Sequence, residues 1–381
     1  MKEWSQLAPY NCIHAMRLPG PVEIDRWGRA ITASLEPLAI KPVSLEEASN
    51  LDAHLEVELN RSFSEGAAPL RFFVINEKTD GHWFGVSFDH WLADDYSCRN
   101  LMHRIYSMSR EDESSAQGPS LESMPDFRRR SSWAAWPRLI KQTLALRSAW
   151  RTPFHDPMDL RVRAFRATVP EGTLEPGRKL AKANGGTLHD VFLAAAAQAF
   201  GVAAGYAAGA KRDAIAIVSA MDLRRFETDS RRRDGFGLHL NQFIIVERRP
   251  DEVSLAELIR RIAAQTGPLK AMPEADLFGP MLALWHLSRS PRAKATLFPR
   301  GAPMVVGLSN VNLTGSWIEQ SEITEYRRIA PTGPVIPMVL MITTLRSRIF
   351  IDVTYRTAAF TEAKAQQLVN EIIQRLPKES V

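Results

Sequence analysis

A short run of residues near position 90 restricts the possible folds more than any other part of the sequence. Residues 84–88 read Phe-Gly-Val-Ser-Phe, with large apolar side chains at alternate positions, which is the period of a β-strand. Polar residues follow directly, and a segment with apolar side chains at helical spacing begins at Asp95. This order predicts a strand that ends in a polar, chemically capable cluster at the start of a helix.

The polar cluster combines one imidazole with three carboxylates. His90 lies within a few residues of Asp89, Asp94 and Asp95. Histidine is the side chain whose ordinary pKa lets it take up and return a proton near neutral pH, so His90 is a candidate general base. A lone histidine at a strand end is also a common structural residue, and the spacing alone leaves both interpretations open.

The composition is that of a globular chain with a sizeable core. The sequence has 381 residues, of which 45% are hydrophobic and 24% charged, and this length suggests two domains. The formal net charge of +5 would favour anionic partners. The arginine runs at 128–130 and 231–233 are more simply solvated loop charge, and no nucleic-acid-binding motif accompanies them. We therefore expect no nucleic acid partner.

Cysteine usage and hydropathy predict a cytoplasmic location. The two cysteines, Cys12 and Cys98, form no CxxC pair and suggest a reducing compartment. The first residues lack the apolar core of a signal peptide, and no run of about eighteen apolar residues occurs. No cysteine or histidine cluster has metal-ligand spacing, so no metal site is expected.

The polar cluster also carries a resemblance to a known family. Residues 89–95 read Asp-His-Trp-Leu-Ala-Asp-Asp, which resembles the HHxxxDG signature of the chloramphenicol-acetyltransferase-like superfamily, including peptide-synthetase condensation domains and wax ester synthases. His90 matches the second histidine and Asp94 the aspartate, whereas Asp89 and Asp95 replace a histidine and a glycine. The resemblance implies that His90 is the general base and that Asp94 is structural and pairs with an arginine. Asp89 would support the site and raise the pKa of a nearby buried base.

Two later segments extend the resemblance. Residues 184–200 contain a glycine pair, a capping threonine and an alanine-rich run, which predict a helix and resemble one in wax ester synthases and condensation domains. The next predicted strand ends at Arg224, where the family has the arginine that pairs with the motif aspartate. Because an unpaired buried carboxylate is costly, we expect Arg224 to bind Asp94, with Arg225 as the alternative.

Strands predicted at residues 235–246 and 303–312 resemble strands that border the catalytic tunnel of the family. The resemblance makes Asn241 a candidate tunnel residue. Ser309 or Asn310 would donate a hydrogen bond to a tetrahedral oxyanion, a task worth several kcal/mol. The alternative, in which Ser309 and Asn310 only form a turn after the strand, stays open.

The resemblance covers essentially the whole chain and implies an α/β (α+β) fold. Two chloramphenicol-acetyltransferase-like subdomains are expected, residues 1–150 with the motif and residues 151–381. Each would be a mixed sheet flanked by helices, and together they would form a V-shaped pseudo-dimer with a central tunnel. Composition predicts a linker at 107–132, and apolar spacing predicts a helix at 275–290.

The implied activity is that of a free-standing condensation-type acyltransferase. An acyl group would move from a thioester on CoA or on a carrier protein to a small alcohol or amine acceptor, with His90 as base and without a bound cofactor. A second hypothesis is a non-catalytic or repurposed protein of this fold that binds acyl or carrier-protein partners, because two motif positions have become acidic. A third, weaker hypothesis is peripheral membrane contact through the Trp-rich, basic segment 133–150.

Overall fold

The computed structural model describes residues 5, 8–41, 43–77, 81–110, 136–207, 209–271, 302–333 and 336–378. In chain order the strands are β1 (Asn11–Leu18), β2 (Leu45–Ala48), β3 (Leu70–Asn76), β4 (His82–Asp89), β5 (Val162–Thr168), β6 (Ala214–Asp222), β7 (Leu240–Arg248), β8 (Val306–Asn312), β9 (Glu325–Ile329), β10 (Met338–Leu345) and β11 (Arg348–Arg356). The α-helices are α1 (Ile24–Leu35), α2 (Leu51–Asn60), α3 (Asp95–Arg110), α4 (Trp136–Ala145), α5 (Leu174–Ala183), α6 (Leu188–Ala204), α7 (Ser230–Asp234), α8 (Leu255–Lys270), α9 (Trp317–Gln320) and α10 (Glu362–Arg375). The predicted helix at 275–290, most of the predicted linker at 107–132 and the start of segment 133–150 lie outside the described residues.

The chain forms two compact units that interleave along the sequence. The first comprises Met1–Arg128, Asp222–Leu240 and Asn312–Pro331. The second comprises the intervening segments, Arg129–Met221, Asn241–Val311 and Thr332–Val381. A single division at residue 150 would place both later segments of the first unit in the second domain.

The first unit is built on a mixed five-stranded sheet with the order β2-β3-β4-β1-β9. Only β2 and β3 run parallel among its pairs; β4 lies at the centre and is buried along its whole length. A Cβ atom at Gly85 would lie 2.1 Å from the Phe73 ring on the neighbouring strand, so that ring requires glycine at this position. On α1, Trp27 stacks on Phe84 with 4.0 Å between ring centroids, which covers the sheet with a helix.

The second unit is built on a mixed six-stranded sheet with the order β5-β11-β10-β8-β6-β7. Its β6 and β8 run parallel, whereas β11 pairs antiparallel with both β10 and β5. The predicted alanine-rich helix is present as α6, and the predicted capping threonine, Thr187, forms a capping box with Asp190. Most of α6 is buried, and it packs against α8 and α10.

The strand predicted at residues 235–246 begins only at Leu240. The backbone groups just before it serve another purpose, because Gly237 and His239 bind Asp94 and Ser97 of the first unit. The short strands β2 and β9 were not predicted.

No single helix in the described part of the chain is long and apolar enough to cross a membrane. The pair α5 and α6, bent by 93°, meets that criterion only when the two helices are taken together, by length and composition.

One buried carboxyl in the second unit joins β7 to α8. Glu247 accepts a hydrogen bond from the side chain of Gln265, whose own carbonyl accepts from the Val246 N–H at 3.3 Å. Burial raises the pKa of Glu247 to about 7, and the smaller effects of Arg261 and Gln265 oppose it. The folded protein therefore keeps a proton on Glu247 at mildly acidic pH.

The variant Glu247→Gln is expected to lose part of the pH dependence of stability. As the pH rises from 4.5 to about 7, the unfolded chain releases this proton before the folded chain does, so wild-type stability falls through that range. The fall is about 3 kcal/mol, measured by urea unfolding at about pH 5 and about pH 8. The exposed carboxylate variant Glu252→Gln is the control and should retain the fall. Identical pH dependence in Glu247→Gln and wild type would contradict the prediction.

Candidate active site

His90 lies in the turn between β4 and α3. The N–H of Asp89, at the end of β4, donates to the carbonyl of Pro69, and the N–H of His90 donates to the carbonyl of Tyr10, both at 2.9 Å. Pro69 and Tyr10 directly precede β3 and β1, the two strands that flank β4. The sheet therefore fixes the backbone position of His90.

The surroundings of the His90 imidazole select one tautomer. Its Nδ1 lies 3.4 Å from the carbonyl oxygen of Ala93. Because a carbonyl oxygen only accepts hydrogen bonds, the neutral ring carries its proton on Nδ1 and its lone pair on Nε2. No described residue hydrogen-bonds to Nε2. One face of the imidazole is stacked on the Tyr10 ring, with 5.5 Å between centroids, and His90 is only 9% exposed.

Burial decides the charge of His90. Loss of water lowers the pKa of the imidazole, and this effect outweighs the Ala93 carbonyl and the carboxylates of Asp94 and Asp89, which act in the opposite direction. Asp89 thus raises the pKa of His90, as expected, but its effect is smaller than that of burial. His90 is neutral near pH 7, which is the state that a general base needs before it takes a proton.

Asp89 is itself buried beside the start of the described chain. Its Oδ1 accepts from the Ser5 hydroxyl at 2.6 Å and, at 3.4 Å, from the N–H of Trp91. Burial raises the pKa of Asp89, while the hydrogen bonds from Ser5 and Trp91 oppose that rise. The supporting role assigned to Asp89 stays a prediction.

Asp94 and Arg224 form a buried ion pair in the first unit. Nη1 of Arg224 donates to Oδ2 of Asp94 at 2.6 Å, and each side chain is 4% exposed. The same Oδ2 accepts from the N–H of His239 at 2.7 Å, and Oδ1 accepts from the N–H of Ser97 at 2.9 Å. Asp94 therefore caps α3 and has three donors around a carboxylate that is out of water.

The hydroxyl of Ser97 completes this network, and sequence reasoning missed it. It accepts from Nη2 of Arg224 at 2.7 Å and from the N–H of Gly237 at 3.0 Å, and it donates to the Gly237 carbonyl at 2.8 Å. The guanidinium also lies 4.6 Å from the centroid of the Tyr96 ring. An aspartate directly before a helix signals the cap in the sequence. No sequence signal points to Gly237.

Asp95, the first residue of α3, belongs to a second ion-pair cluster that sequence reasoning also missed. Its Oδ2 accepts from Nε of Arg99 at 2.9 Å, and its Oδ1 accepts from Nε of Arg328 on β9. Nε2 of His14 lies 3.4 Å from the same carboxylate. Burial alone would raise the pKa of Asp95, but the guanidinium groups of Arg328 and Arg99 hold it well below its usual range.

Ser309, Asn310 and Asn241 lie in the second unit, whereas the residues described above lie in the first. Ser309 and Asn310 are on β8, and Asn241 is the second residue of β7. Oδ1 of Asn310 is buried and meets no hydrogen-bond donor in the described part of the chain, and Oδ1 of Asn241 accepts from the N–H of Gln242 at 2.8 Å. Their roles toward His90 stay predictions.

His189 lies in the alanine-rich segment that resembles a helix of the family, and its side chain is held within the second unit. Nε2 of His189 lies 2.7 Å from the Ser219 hydroxyl on β6. Burial, assisted by the charge of Lys270, lowers the pKa of His189 to about 4. The family resemblance implies a structural role for this histidine, and that role stays a prediction. Within the residues that the structure describes, no group of three or more His, Cys, Asp and Glu side chains could hold a metal ion.

Comparison with known proteins finds relatives in structure. No protein-family model and no curated protein sequence matches the chain. The condensation domain of the Monacolin K polyketide synthase MokA aligns with a TM-score of 0.70 at 15% identity, covering 98% of this chain and 95% of that chain. TRI3 trichothecene 15-O-acetyltransferase from Fusarium sporotrichioides aligns with a TM-score of 0.74 at 11% identity, covering 98% and 91%.

The first condensation domain of the calcium-dependent antibiotic synthetase, in complex with a substrate analogue, gives a TM-score of 0.71 at 14% identity and covers 98% of this chain and 92% of that chain. Likeness at these identities establishes the fold. The predicted fold class is confirmed: two mixed sheets flanked by helices form the two-subdomain fold of condensation domains and chloramphenicol-acetyltransferase-like enzymes.

The variant Arg224→Leu is expected to lower the free energy of unfolding by about 3–5 kcal/mol, because the Asp94 carboxylate would stay buried without its counter-charge. The double variant Asp94→Asn/Arg224→Leu should recover part of this loss, since it contains no buried charge at the site. Urea unfolding followed by circular dichroism measures both. The variant Arg225→Leu is the control. Because Arg225 is exposed, this variant is expected to change the free energy of unfolding by less than about 1 kcal/mol. A loss in Arg224→Leu no greater than in the control would refute a stabilising role.

Removal of the Tyr10 ring is expected to raise the pKa of His90 toward its ordinary value of 6.5, because water would reach one face of the imidazole. The test is an NMR pH titration of the imidazole in wild type, Tyr10→Ala and Tyr10→Phe. Tyr10→Phe keeps the stacked ring and should titrate as wild type does. An unchanged His90 titration in a folded Tyr10→Ala protein would show that the ring does not keep water away.

Proposed function

We propose that this chain is a condensation-type acyltransferase that moves an acyl group from a CoA or carrier-protein thioester to an alcohol or amine acceptor. The state of His90 carries the proposal: the imidazole is buried, neutral near pH 7, and presents the lone pair of Nε2. Support for the reaction class comes from the fold, since the structural neighbours include condensation domains and an acetyltransferase.

In the proposed reaction His90 first removes a proton. The acceptor O–H or N–H binds Nε2, and its oxygen or nitrogen bonds to the thioester carbonyl carbon while the proton moves to the imidazole. The product of this step is a tetrahedral oxyanion beside an imidazolium. The carbon–sulfur bond then breaks, the carbonyl re-forms, and the leaving thiolate takes the proton from the imidazolium. Atoms and electrons balance without an oxidant or reductant.

The charges near His90 suit this sequence of steps. Burial keeps the imidazole neutral before attack, and Asp94 and Asp89 favour its protonated form. These carboxylates would therefore stabilise the imidazolium when it forms. The contribution of Asp89 is specific to this chain, because the family signature has histidine at that position.

The oxyanion requires hydrogen-bond donors that stand ready before the charge develops. The hydroxyl of Ser309 or the side-chain amide of Asn310 remains the proposed donor, and Asn241 remains a proposed neighbour of the bound substrate. These residues belong to the second unit.

The proposed co-substrate is a thioester, either acyl-CoA or an acyl group on carrier-protein phosphopantetheine, and no resident cofactor takes part. Carrier-protein partners are supported in general by the neighbours, which include condensation domains of synthetases and a cyclization-docking bidomain of the EpoB synthetase. We place the reaction in natural-product biosynthesis on the same support.

Acceptor-dependent release of free thiol from a panel of acyl-CoA and acyl-carrier thioesters tests the proposal. The variant His90→Ala is expected to lose thiol release by about 10²–10⁴-fold, the usual contribution of a general base. His189→Ala is the matched control, because it removes another, half-buried imidazole that lies in the second unit. Equal turnover by His90→Ala and wild type would remove His90 as the base, and no turnover of any donor would remove the enzyme assignment.

The second candidate is a condensation-fold protein that binds acyl or carrier-protein partners without catalysis. Asp89 and Asp95 favour it, because both replace residues of the signature that the active members share. One structural neighbour, the X-domain from teicoplanin biosynthesis, is in complex with the protein OxyB, with a TM-score of 0.60 at 15% identity. Thioester binding without thiol release in the same assay would favour this candidate.

Cytoplasmic location and peripheral membrane contact stay proposals. Trp133, which the membrane hypothesis uses, lies outside the described residues. The helix α4 that follows has two exposed apolar side chains one turn apart, Ile140 and Leu144, and such a face can contact lipid.

A further inference from the structure

Two adjacent carboxylates bind the two segments of the second half of the chain that join the first unit. Asp94 binds Arg224, and Asp95 binds Arg328 on β9. The first contact matches the pairing of aspartate and arginine that the family resemblance implies, whereas the second exists because this chain has aspartate where the signature has glycine. Asp95 therefore needs a physical explanation of its own.

The contacts of Asp95 join three elements at the first residue of α3. Arg328 is completely buried, and its register partner on β1 is His14. Nε2 of His14 lies 3.4 Å from the Asp95 carboxylate, and its Nδ1 lies 2.9 Å from the hydroxyl of Tyr326, also on β9. The carboxylate thus ties the start of α3 to β1 and to β9 at one point.

This point is one end of the turn that carries His90. The other end is fixed by the sheet, where the backbone N–H groups of Asp89 and His90 bind residues beside the flanking strands. The imidazole contact to Ala93 lies within the same turn. Asp94 also holds this end of the turn, through Arg224 and the N–H of His239. Asp95 adds a second contact there, which ties the turn to β9.

We propose that Asp95, acting through Arg328, is a positioning residue that holds the turn and thereby fixes the orientation and tautomer of His90. This role rests on the proposed function only for its effect on turnover, because the orientation of His90 can be measured without any substrate. The aspartate supplies a clamp at the position where the signature has glycine, which has no side chain to supply one.

The test uses the full chain labelled with ¹⁵N-histidine and the His90 imidazole signals, assigned by their loss in His90→Ala. The variants are Asp95→Asn and the double variant Asp95→Asn/Arg328→Gln, which removes the buried charge of Arg328 together with that of Asp95 and so protects against simple unfolding. Arg99→Gln is the matched control, because it removes the other guanidinium on Asp95 and leaves the Arg328 contact in place. Thiol release is measured on the same samples.

Wild type and Arg99→Gln are expected to show a single His90 tautomer with the proton on Nδ1. Both Asp95 variants are expected to show a mixture of tautomers and a kcat lower by on the order of 10- to 100-fold, with KM for the donor changed less than about twofold. A folded double variant with the wild-type His90 tautomer would overturn the proposal. If wild type turns over no thioester, the proposed function fails, and the tautomer measurement alone decides the role of Asp95.

Discussion

The ion pair between Asp94 and Arg224 is the interaction on which the first unit depends. Taking both charges out of water costs several kcal/mol for each ion, and their mutual attraction offsets this only when further hydrogen bonds complete the shell. The structure supplies those bonds from the backbone of Ser97 and His239 and from the hydroxyl of Ser97. These hydrogen bonds come from α3 and from segment 222–240. The ion pair therefore also fixes the position of that segment within the first unit.

The carboxylate of Asp95, the next residue, is also neutralised by arginine, but in a different geometry. Asp95 is shared by Arg99 on its own helix and Arg328 on β9, so two cations face one carboxylate. Both carboxylates lie at the N-terminus of a 16-residue helix, whose unpaired N–H groups and dipole favour negative charge there. Helix, guanidinium groups and carboxylates therefore stabilise one another, and this explains how several charged side chains are held close together at the start of α3.

The parts of this site that follow local patterns could be predicted from the sequence. The alternation of residues 84–88 indicates β4, and the need to neutralise a buried carboxylate, together with the family signature, leads to Arg224. Arg328 could not be found in this way. Two buried arginines interrupt the apolar pattern of β9, and its partner strand β1 lies about 300 residues earlier, so neither periodicity nor sequence distance reveals the pairing. Gly237 contributes only its backbone, which leaves no side-chain signal.

The low pKa of His90 gives the proposed base an advantage in the second half of the reaction. A lowered pKa weakens the imidazole as a proton acceptor, yet it favours the neutral form that can accept a proton at pH 7. It also makes the imidazolium a stronger acid. A thiol has an ordinary pKa of about 8.5, so transfer of the proton from imidazolium to the leaving thiolate is downhill. In the proposed reaction burial would thus favour departure of the thiolate, and the neighbouring carboxylates of Asp89 and Asp94 would limit the cost of forming the imidazolium in the first step.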